Sequence, residues 1–276
     1  MLKATDFFAL QESPFKELFK GTEYVWEALP RLKAFIKEMI RPNVKDFRAG
    51  SAFIKETVVI HKANLFTSGF NIDTEGKKTV VRKDGIILEG ASIIYGGSYL
   101  LDDQIFIGEG TIIEPGALIK GPTIIGDRTE VRHGAYIRGD ALIGNDCVVG
   151  HATEIKSSVM MGGSKAGHFA YIGDSLLGEV NLGAGTKLAN LKVIDSPVVL
   201  NIQGRAYETG LRKFGAILAD GVETGCNCVT TPGTLMGKNA LLYPNGTARG
   251  YYAPGTIVKI KQEQEFREMS ERGSNG

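Results

Sequence analysis

The chain has 276 residues, of which 43% are hydrophobic and 23% are charged, and its formal net charge is +1. These values are ordinary for a globular protein and argue against a broad nucleic-acid-binding surface. The sequence has no apolar run near the roughly 20 residues that span a bilayer, and its start lacks the features of a signal peptide. Its three cysteines form neither a disulfide framework nor a zinc spacing. We therefore expect a cytoplasmic protein that binds neither nucleic acid nor membrane.

Residues 1–50 have the spacing of short amphipathic helices. Apolar residues recur three and four positions apart between Phe15 and Met39. Ser13 is a good N-cap, and Pro14 follows it at the first helical position. We expect this segment to form a helical cap over one end of the domain that follows, because a repetitive domain needs its ends covered. An amphipathic arm that binds a partner is the alternative.

Residues 51–100 alternate in the manner of strands, and we expect irregular leading β coils there. A strict repeat follows, in which an aliphatic residue or methionine occurs at every sixth position. Its members are Leu101, Ile107, Ile113, Ile119, Ile125, Val131, Ile137, Ile143, Val149, Ile155 and Met161. A small or β-branched residue lies two positions earlier, from Thr111 to Val159.

A period of six fits a short strand followed by a turn, and fits neither an α-helix nor a hairpin meander. The repeat resembles that of the hexapeptide-repeat proteins, which form a left-handed parallel β-helix with three strands per coil. In such a strand the aliphatic residue and the small one point inward, and the residue after the aliphatic one points outward. We expect this β-helix to span residues 101–256.

The register changes after Met161. The pattern passes through Gly167 and resumes at Ile172, Leu177, Leu182 and Leu188. Residues 195–212 interrupt it, and we expect a hairpin or loop insertion there. The later inward positions are predicted to be Ile217, Val222, Val229, Leu235 and Leu241. For residues 257–276 we expect a short C-terminal helix and a tail.

Four stretches carry a more specific resemblance: "VRHGAYIRG", "VVGHATEIKSSVM", "GSKAGHFAYIGD" and "EVNLGAGTKLAN". They resemble the glucosamine-1-phosphate N-acetyltransferase domain of the bifunctional UDP-N-acetylglucosamine pyrophosphorylases. Members of that family transfer an acetyl group from acetyl-CoA, require no metal for this step and form homotrimers. The resemblance implies the same donor and the same assembly for this chain.

The resemblance also assigns site residues. His168 falls at the position of the family's catalytic base. The residues at substrate-binding positions are Arg132, Lys156, Tyr171, Asn181, Asn190, Lys213 and Glu154. Those at acetyl-CoA positions are Ala184 and Gly225, where Gly225 replaces an expected serine. The sequence departs from the family after Asn190, where "NLKV" replaces "NYDG".

The repeat itself places several of these residues. Arg132 and His168 both follow an inward position and are 36 residues apart, so we expect them two coils apart on one face, about 10 Å from each other. Lys156 should lie on a neighbouring face, so that a single site wraps a corner or spans two subunits. His133, His151 and His168 are spaced 18 and 17 residues apart, which predicts a stack on successive coils.

We therefore expect an acetyl-CoA-dependent N-acetyltransferase that acts on an amino-sugar 1-phosphate in nucleotide-sugar biosynthesis. A first alternative is a non-catalytic or regulatory β-helix module that binds sugar nucleotides. The three histidines raise a second alternative, a zinc lyase on the same fold, although the sequence lacks the close histidine pair of that class.

Overall fold

The computed structural model describes residues 2–11, 13–62, 64–76, 78–261 and 263–267. Within these ranges the chain forms a left-handed parallel β-helix with three faces, so the fold predicted from the six-residue period is confirmed. Each coil gives one short strand to each face. Strands of successive coils pair in parallel, at the separation of about 4.8 Å that is usual for paired strands.

The three faces are defined by their parallel strands. Face 1 consists of Ser92–Ile94, Ile112–Ile113, Glu130–Val131, Val148–His151, Lys165–His168, Asn181–Leu182, Glu223–Thr224, Leu241–Leu242 and Ile257–Val258. Face 2 consists of Tyr99–Leu100, Leu118–Ile119, Tyr136–Ile137, Glu154–Lys156, Tyr171–Gly173, Lys187–Leu188, Val229–Thr230 and Thr247–Ala248. Face 3 consists of Ile105–Ile107, Thr123–Ile125, Ala141–Ile143, Ser158–Met160, Leu176–Leu177, Ala216–Leu218, Thr234–Met236 and Tyr251–Tyr252.

The interior of the prism is filled by the inward residues of these strands. On face 2, Ile119, Ile137 and Ile155 stack on one another and are fully buried. Burying one such side chain stabilises the fold by about 1.5–3 kcal/mol. The small inward residues carry hydroxyls that are satisfied locally: Thr129 Oγ1, for example, donates to the Gly144 carbonyl at 2.8 Å.

The first and the last position of the eleven-residue series are wrong. Leu101 is 39% exposed, whereas Leu100 is fully buried and pairs with Ile119. At the other end of the repeat, Met160 takes the inward position that was expected for Met161, because it pairs with Ile143.

After the insertion, the inward positions again recur every six residues, and they differ from the predicted ones by one residue, or by two in the case of Val222. They are Leu218, Thr224, Thr230, Met236, Leu242 and Ala248. The prediction failed at Val229 because the inward neighbour Thr230 is not aliphatic, and at Leu241 because its inward neighbour Leu242 is aliphatic as well. Val229 and Leu241 are in fact only partly buried.

The N-terminal segment contains α-helices Ala4–Phe7, Leu32–Met39 and Lys45–Arg48 and 3₁₀-helices Pro14–Phe19 and Val25–Arg31. It lies along face 3 rather than over an end of the β-helix. Asn43 donates to and accepts from the backbone of Ile107 in an early coil. At the other end of the segment, the Phe7 carbonyl accepts from the Asp220 amide in a late coil.

Face 3 explains this position, because its outward residues are apolar in coil after coil. They are Phe106, Ile124, Leu142, Val159, Leu176, Ile217 and Leu235. Leu142 is 6% exposed, and the four residues that follow it in that series are fully buried. A strand that is apolar on both sides must be covered on its outer side. The helices Pro14–Phe19, Val25–Arg31 and Leu32–Met39 lie along this face and bury their own apolar residues.

The remaining strands lie outside the regular coils. Val58–His61 and Asn64–Phe66 extend face 1 in antiparallel fashion, and Asn71–Glu75, Lys78–Lys83 and Ile86–Ile87 form a separate antiparallel sheet, so regular coiling begins at Ser92.

The interruption at 195–212 holds an antiparallel hairpin, Val199–Ile202 with Arg205–Glu208. Its Tyr207 packs edge-on against Trp26 and Tyr24 of the N-terminal segment.

The C-terminal helix is not found at residues 263–267, and the rest of that prediction lies outside the described residues. No helix in the described ranges is long and apolar enough to cross a membrane.

Candidate functional site

His168 ends a strand of face 1 at the corner where the chain turns onto face 2. It is exposed, and Phe169 after it makes the turn with φ of 53°. His168 pairs with His151 of the preceding coil, and the rings of His151 and His133 stack with centroids 5.6 Å apart and planes 8° from parallel. The predicted column of three histidines is therefore present along this corner.

The position of His168 relative to Arg132 differs from the expectation by one residue. The coil between Val149 and Ala166 has 17 residues, so Ala166 is the inward residue and Gly167 takes the outward position that Arg132 holds two coils earlier. His168 thus belongs to the corner rather than to the outward column of Arg132. Arg132 itself is ion-paired with Glu130 at 2.7 Å.

Hydrogen bonds distinguish the three histidines. The Nδ1 atoms of His133 and His151 lie 2.7 and 2.8 Å from the carbonyls of Pro115 and His133. A carbonyl can only accept, so both rings carry their proton on Nδ1. His168 forms no such bond to any described residue, so both of its ring nitrogens are free for a ligand. A free imidazole nitrogen can accept a proton, which is what a general base must do.

Beside the corner, four consecutive coils have glycine at the outward position of face 1. They are Gly150, Gly167, Gly183 and Gly225. A Cβ on Gly183 would lie 2.3 Å from the carbonyl carbon of Gly225, and one on Gly225 would lie 2.5 Å from Pro244. The backbone of the next coil thus leaves no room for a side chain at Gly183 or Gly225, and the four glycines together leave a strip of bare backbone along face 1 past His168.

Ala184 and Gly225, the two predicted acetyl-CoA contacts, border this strip. Ala184 follows His168 in the corner column, because the Gly185 amide donates to the His168 carbonyl and the Asn227 amide to the Ala184 carbonyl. The Gly225 amide is already used by the Leu242 carbonyl at 2.7 Å. Gly225 therefore leaves space beside the backbone but provides no free hydrogen-bond donor.

Face 2 carries a ladder of cations that sequence reasoning missed. Ile119, Ile137 and Ile155 are in register, and each is followed by a cation: Lys120, Arg138 and Lys156. Lys156 was expected at the site, whereas Lys120 and Arg138 were not. The signal was visible as a lysine or arginine after an inward isoleucine at intervals of 18 residues.

The acidic partners of this ladder lie on the same face. Arg138 Nη1 contacts Glu154 Oε1 at 2.6 Å, and Lys156 Nζ contacts Asp174 Oδ2 at 2.8 Å. The bond to Glu154 raises the pKa of Arg138 further above its ordinary value.

Tyr171 and Asn190 complete the cluster on face 2. The Tyr171 hydroxyl donates to Asn190 Oδ1 at 3.2 Å, and Asn190 Nδ2 donates to Asp174. Burial raises the pKa of Tyr171, so its hydroxyl remains a donor at neutral pH. A Cβ on Gly173 would lie 2.6 Å from the Tyr171 hydroxyl, so glycine at this position makes room for the pair.

Two other predicted residues lie apart from this cluster. Asn181 is exposed on face 1, in register with Lys165. Lys213 is exposed where the insertion rejoins the β-helix, and its backbone bridges to Leu191, next to Asn190. The structure thus gathers Glu154, Lys156, Tyr171 and Asn190 on face 2 and places His168 at the adjoining corner.

The described residues contain no group of three histidine, cysteine, aspartate or glutamate side chains that could hold a metal ion.

Comparison with known proteins extends these observations. The family described as "GMPPB C-terminal domain" matches residues 119–240, which include the corner and the cation ladder. A "Bifunctional sugar-1-phosphate nucleotidylyltransferase/acetyltransferase" of Sulfurisphaera tokodaii is 39% identical over 101 residues, which are 36% of this chain and 25% of that protein. A "Bifunctional protein GlmU" of Methanococcus vannielii is 41% identical over 86 residues, which are 31% of this chain and 20% of that protein.

The resemblance predicted from the four motifs is confirmed by these matches. The chain spans only about a quarter of the length of the first of these relatives and a fifth of the second. Among solved structures, the UDP-N-acetylglucosamine acyltransferase of Francisella novicida is 16% identical, with a TM-score of 0.35 over 62% of this chain and 59% of that one.

Proposed function

We propose that the protein is an N-acetyltransferase that uses acetyl-CoA to acetylate an amino-sugar 1-phosphate resembling glucosamine 1-phosphate, in nucleotide-sugar biosynthesis. A homotrimeric assembly and a cytoplasmic location belong to the same proposal. The observation that carries it is the position of His168, an imidazole without a hydrogen-bond partner among the described residues, at the corner where the chain enters face 2, which carries the cations and the hydrogen-bonding groups. The similarity to relatives named as acetyltransferases supports it.

The cation ladder is the part of the site that suits a phosphate. Arg138 and Lys156 lie on adjacent coils and point to the same side of face 2, so both can contact one phosphate group. An arginine offers a planar pair of donors and a lysine a point charge, and the two are often combined against phosphate. Tyr171 and Asn190 provide the neutral groups that sugar hydroxyls and the amine require.

The glycine strip is the part that suits the donor. The arm of acetyl-CoA is long and narrow and carries amide groups, so it can lie against bare backbone beside Gly183 and Ala184. The amine of the acceptor attacks the thioester carbonyl, and His168 takes the proton that the amine loses. The carbon–sulfur bond then breaks, and the CoA thiolate takes up a proton as it leaves.

Two observations favour the alternative, a sugar-nucleotide-binding module without catalysis. Lys156 and Arg138 are already paired with carboxylates, so an incoming phosphate meets charges that are partly neutralised. The sequence also departs from the acetyltransferase family directly after Asn190.

A panel of ligands separates the proposals. Thermal unfolding is measured with acetyl-CoA, CoA, glucosamine 1-phosphate and UDP-N-acetylglucosamine, and CoA release is followed with glucosamine 1-phosphate as acceptor. Stabilisation by CoA together with CoA release supports the transferase. Stabilisation by UDP-sugars alone, without CoA release, supports the binding module. Metal analysis of the purified protein tests the zinc lyase.

A further inference from the structure

Asp174 lies between two residues of the candidate site and is bonded to both. Its Oδ2 accepts from Lys156 Nζ at 2.8 Å and also from Asn190 Nδ2. Asn190 in turn accepts from the Tyr171 hydroxyl at 3.2 Å. The four side chains form one chain of bonds, with Asp174 as its only negative group.

This arrangement differs from an ordinary surface ion pair. The side chains of Lys156 and Asp174 are 15% and 16% exposed, whereas those of Arg128 and Asp146, a comparable pair at another corner, are 59% and 57% exposed. Exposed pairs contribute little, but a shielded charge that loses its partner is left uncompensated. Asp174 is therefore held firmly, and a ligand will not readily displace it.

The bonds also fix orientations. Because Asn190 Nδ2 donates to a carboxylate, its Oδ1 must face the Tyr171 hydroxyl, and the amide has one allowed orientation. Lys156 carries three N–H donors, and the bond to Asp174 uses one of them. The other two are directed away from Asp174 and are available to a ligand.

We propose that Asp174 is a positioning residue, which holds the Lys156 ammonium and the Asn190 amide in the orientation that the acyl acceptor needs. The inference rests on the proposed function, and it implies that the site binds a phosphate less tightly. The negative charge of Asp174 lies close to any phosphate that contacts Lys156, so it weakens ground-state binding of that phosphate. Asp174 thus favours correct placement over affinity.

The test compares Asp174→Asn with Asp146→Asn. Both aspartates have positive φ, 47° and 58°, a conformation that asparagine also adopts well. For Asp174→Asn we expect kcat for glucosamine 1-phosphate to fall at least about 10-fold while KM stays the same or decreases. Calorimetry should show inorganic phosphate binding about 3- to 10-fold more tightly. Asp146→Asn should match wild type in both measurements.

A second variant, Asp174→Glu, keeps the charge but moves the carboxylate. It should lower kcat without tightening phosphate binding, which separates position from charge even if Asp174→Asn is poorly folded. A kcat within twofold of wild type in both variants would overturn the proposal, and so would weaker phosphate binding in Asp174→Asn.

If the wild-type protein does not transfer an acetyl group to amino-sugar phosphates, the proposed function is wrong. Calorimetry of phosphate binding would then test the positioning role of Asp174 independently of acetyl transfer. Tighter binding in Asp174→Asn than in wild type and Asp146→Asn would sustain it, and equal or undetectable binding in all three proteins would overturn it.

Discussion

Arg138 and Lys156 lie in register on adjacent coils of face 2, because the isoleucines before them pair and the Arg138 amide donates to the Ile155 carbonyl at 2.8 Å. Two cations at the spacing of paired strands, about 5 Å, repel each other unless carboxylates lie nearby. Glu154 and Asp174 supply those carboxylates. The pair is therefore stable without a ligand, and it presents two sets of donors to the same side of the β-helix.

The first prediction follows from this register. Arg138→Ala should raise KM for glucosamine 1-phosphate by about 10- to 150-fold, the value of one charged hydrogen bond, and should change kcat much less. A phosphate is remote from the reacting amine, so its contacts bind ground state and transition state alike. Steady-state kinetics on the purified variant measure both constants.

Arg132→Ala is the matched comparison, since Arg132 lies on face 1 and is paired with Glu130. It should affect KM less than Arg138→Ala does. The opposite order would show that the phosphate is bound on face 1, as the family motif implies.

The fold was predictable because period six occurs in no other common element and persists through nine strands, from Ile107 to Ile155. The errors came from coils with apolar residues at outward as well as inward positions. Val159 and Ile217 looked like members of the repeat, yet they face the N-terminal segment. A six-residue pattern cannot show which of two adjacent aliphatic residues points inward when both are buried.

The site was predictable in part, because the family motifs supplied His168, Lys156 and Tyr171. Arg138 was missed because "VRHGAYIRG" contains two arginines, and the resemblance assigned a role only to the first, Arg132. Asp174 was missed because its importance lies in bonds to residues 18 positions before and 16 positions after it. Such bonds appear only once the coils are stacked.

The second prediction concerns the catalytic base. His168→Ala should lower acetyl transfer by about 10²- to 10⁴-fold, the usual contribution of a general base. The melting temperature should remain nearly that of wild type, because the ring is exposed and forms no hydrogen bond with the described residues. His133→Ala, in the same column but two coils away, is the control and should retain activity. Full activity in His168→Ala would exclude it from the mechanism.

The third prediction concerns assembly. Light scattering should give three times the chain mass of 29.8 kDa. If each site uses His168 of one subunit and Lys156 of its neighbour, then His168→Ala and Lys156→Ala, each inactive or weak alone, should regain activity when refolded together. Random mixing would leave about one quarter of such interfaces intact. A monomer, or mixed oligomers without regained activity, would place the complete site within one chain.

The fourth prediction concerns stability in alkali. Cys147 is buried in the interior and its thiol contacts the Met161 carbonyl at 3.2 Å. Burial raises the pKa of Cys147 from 9.0 to about 12. Below pH 9 the thiol is neutral in both states and adds no pH dependence. Above pH 9 the thiol ionises only in the unfolded chain, so stability present below that pH is lost progressively as the pH rises toward 12.

Cys147→Ser isolates this effect, because Ser164 occupies the next coil at the equivalent position. Urea unfolding of wild type and variant at pH 8 and pH 10 gives four free energies of unfolding. Wild type should lose up to about 1.4 kcal/mol more than Cys147→Ser between the two pH values, since one pKa unit corresponds to that amount. Tyrosines and lysines also titrate in this range, but they do so in both proteins and cancel in the difference. Equal losses in the two proteins would mean that the Cys147 thiol ionises in the folded state and is not shielded as the structure places it.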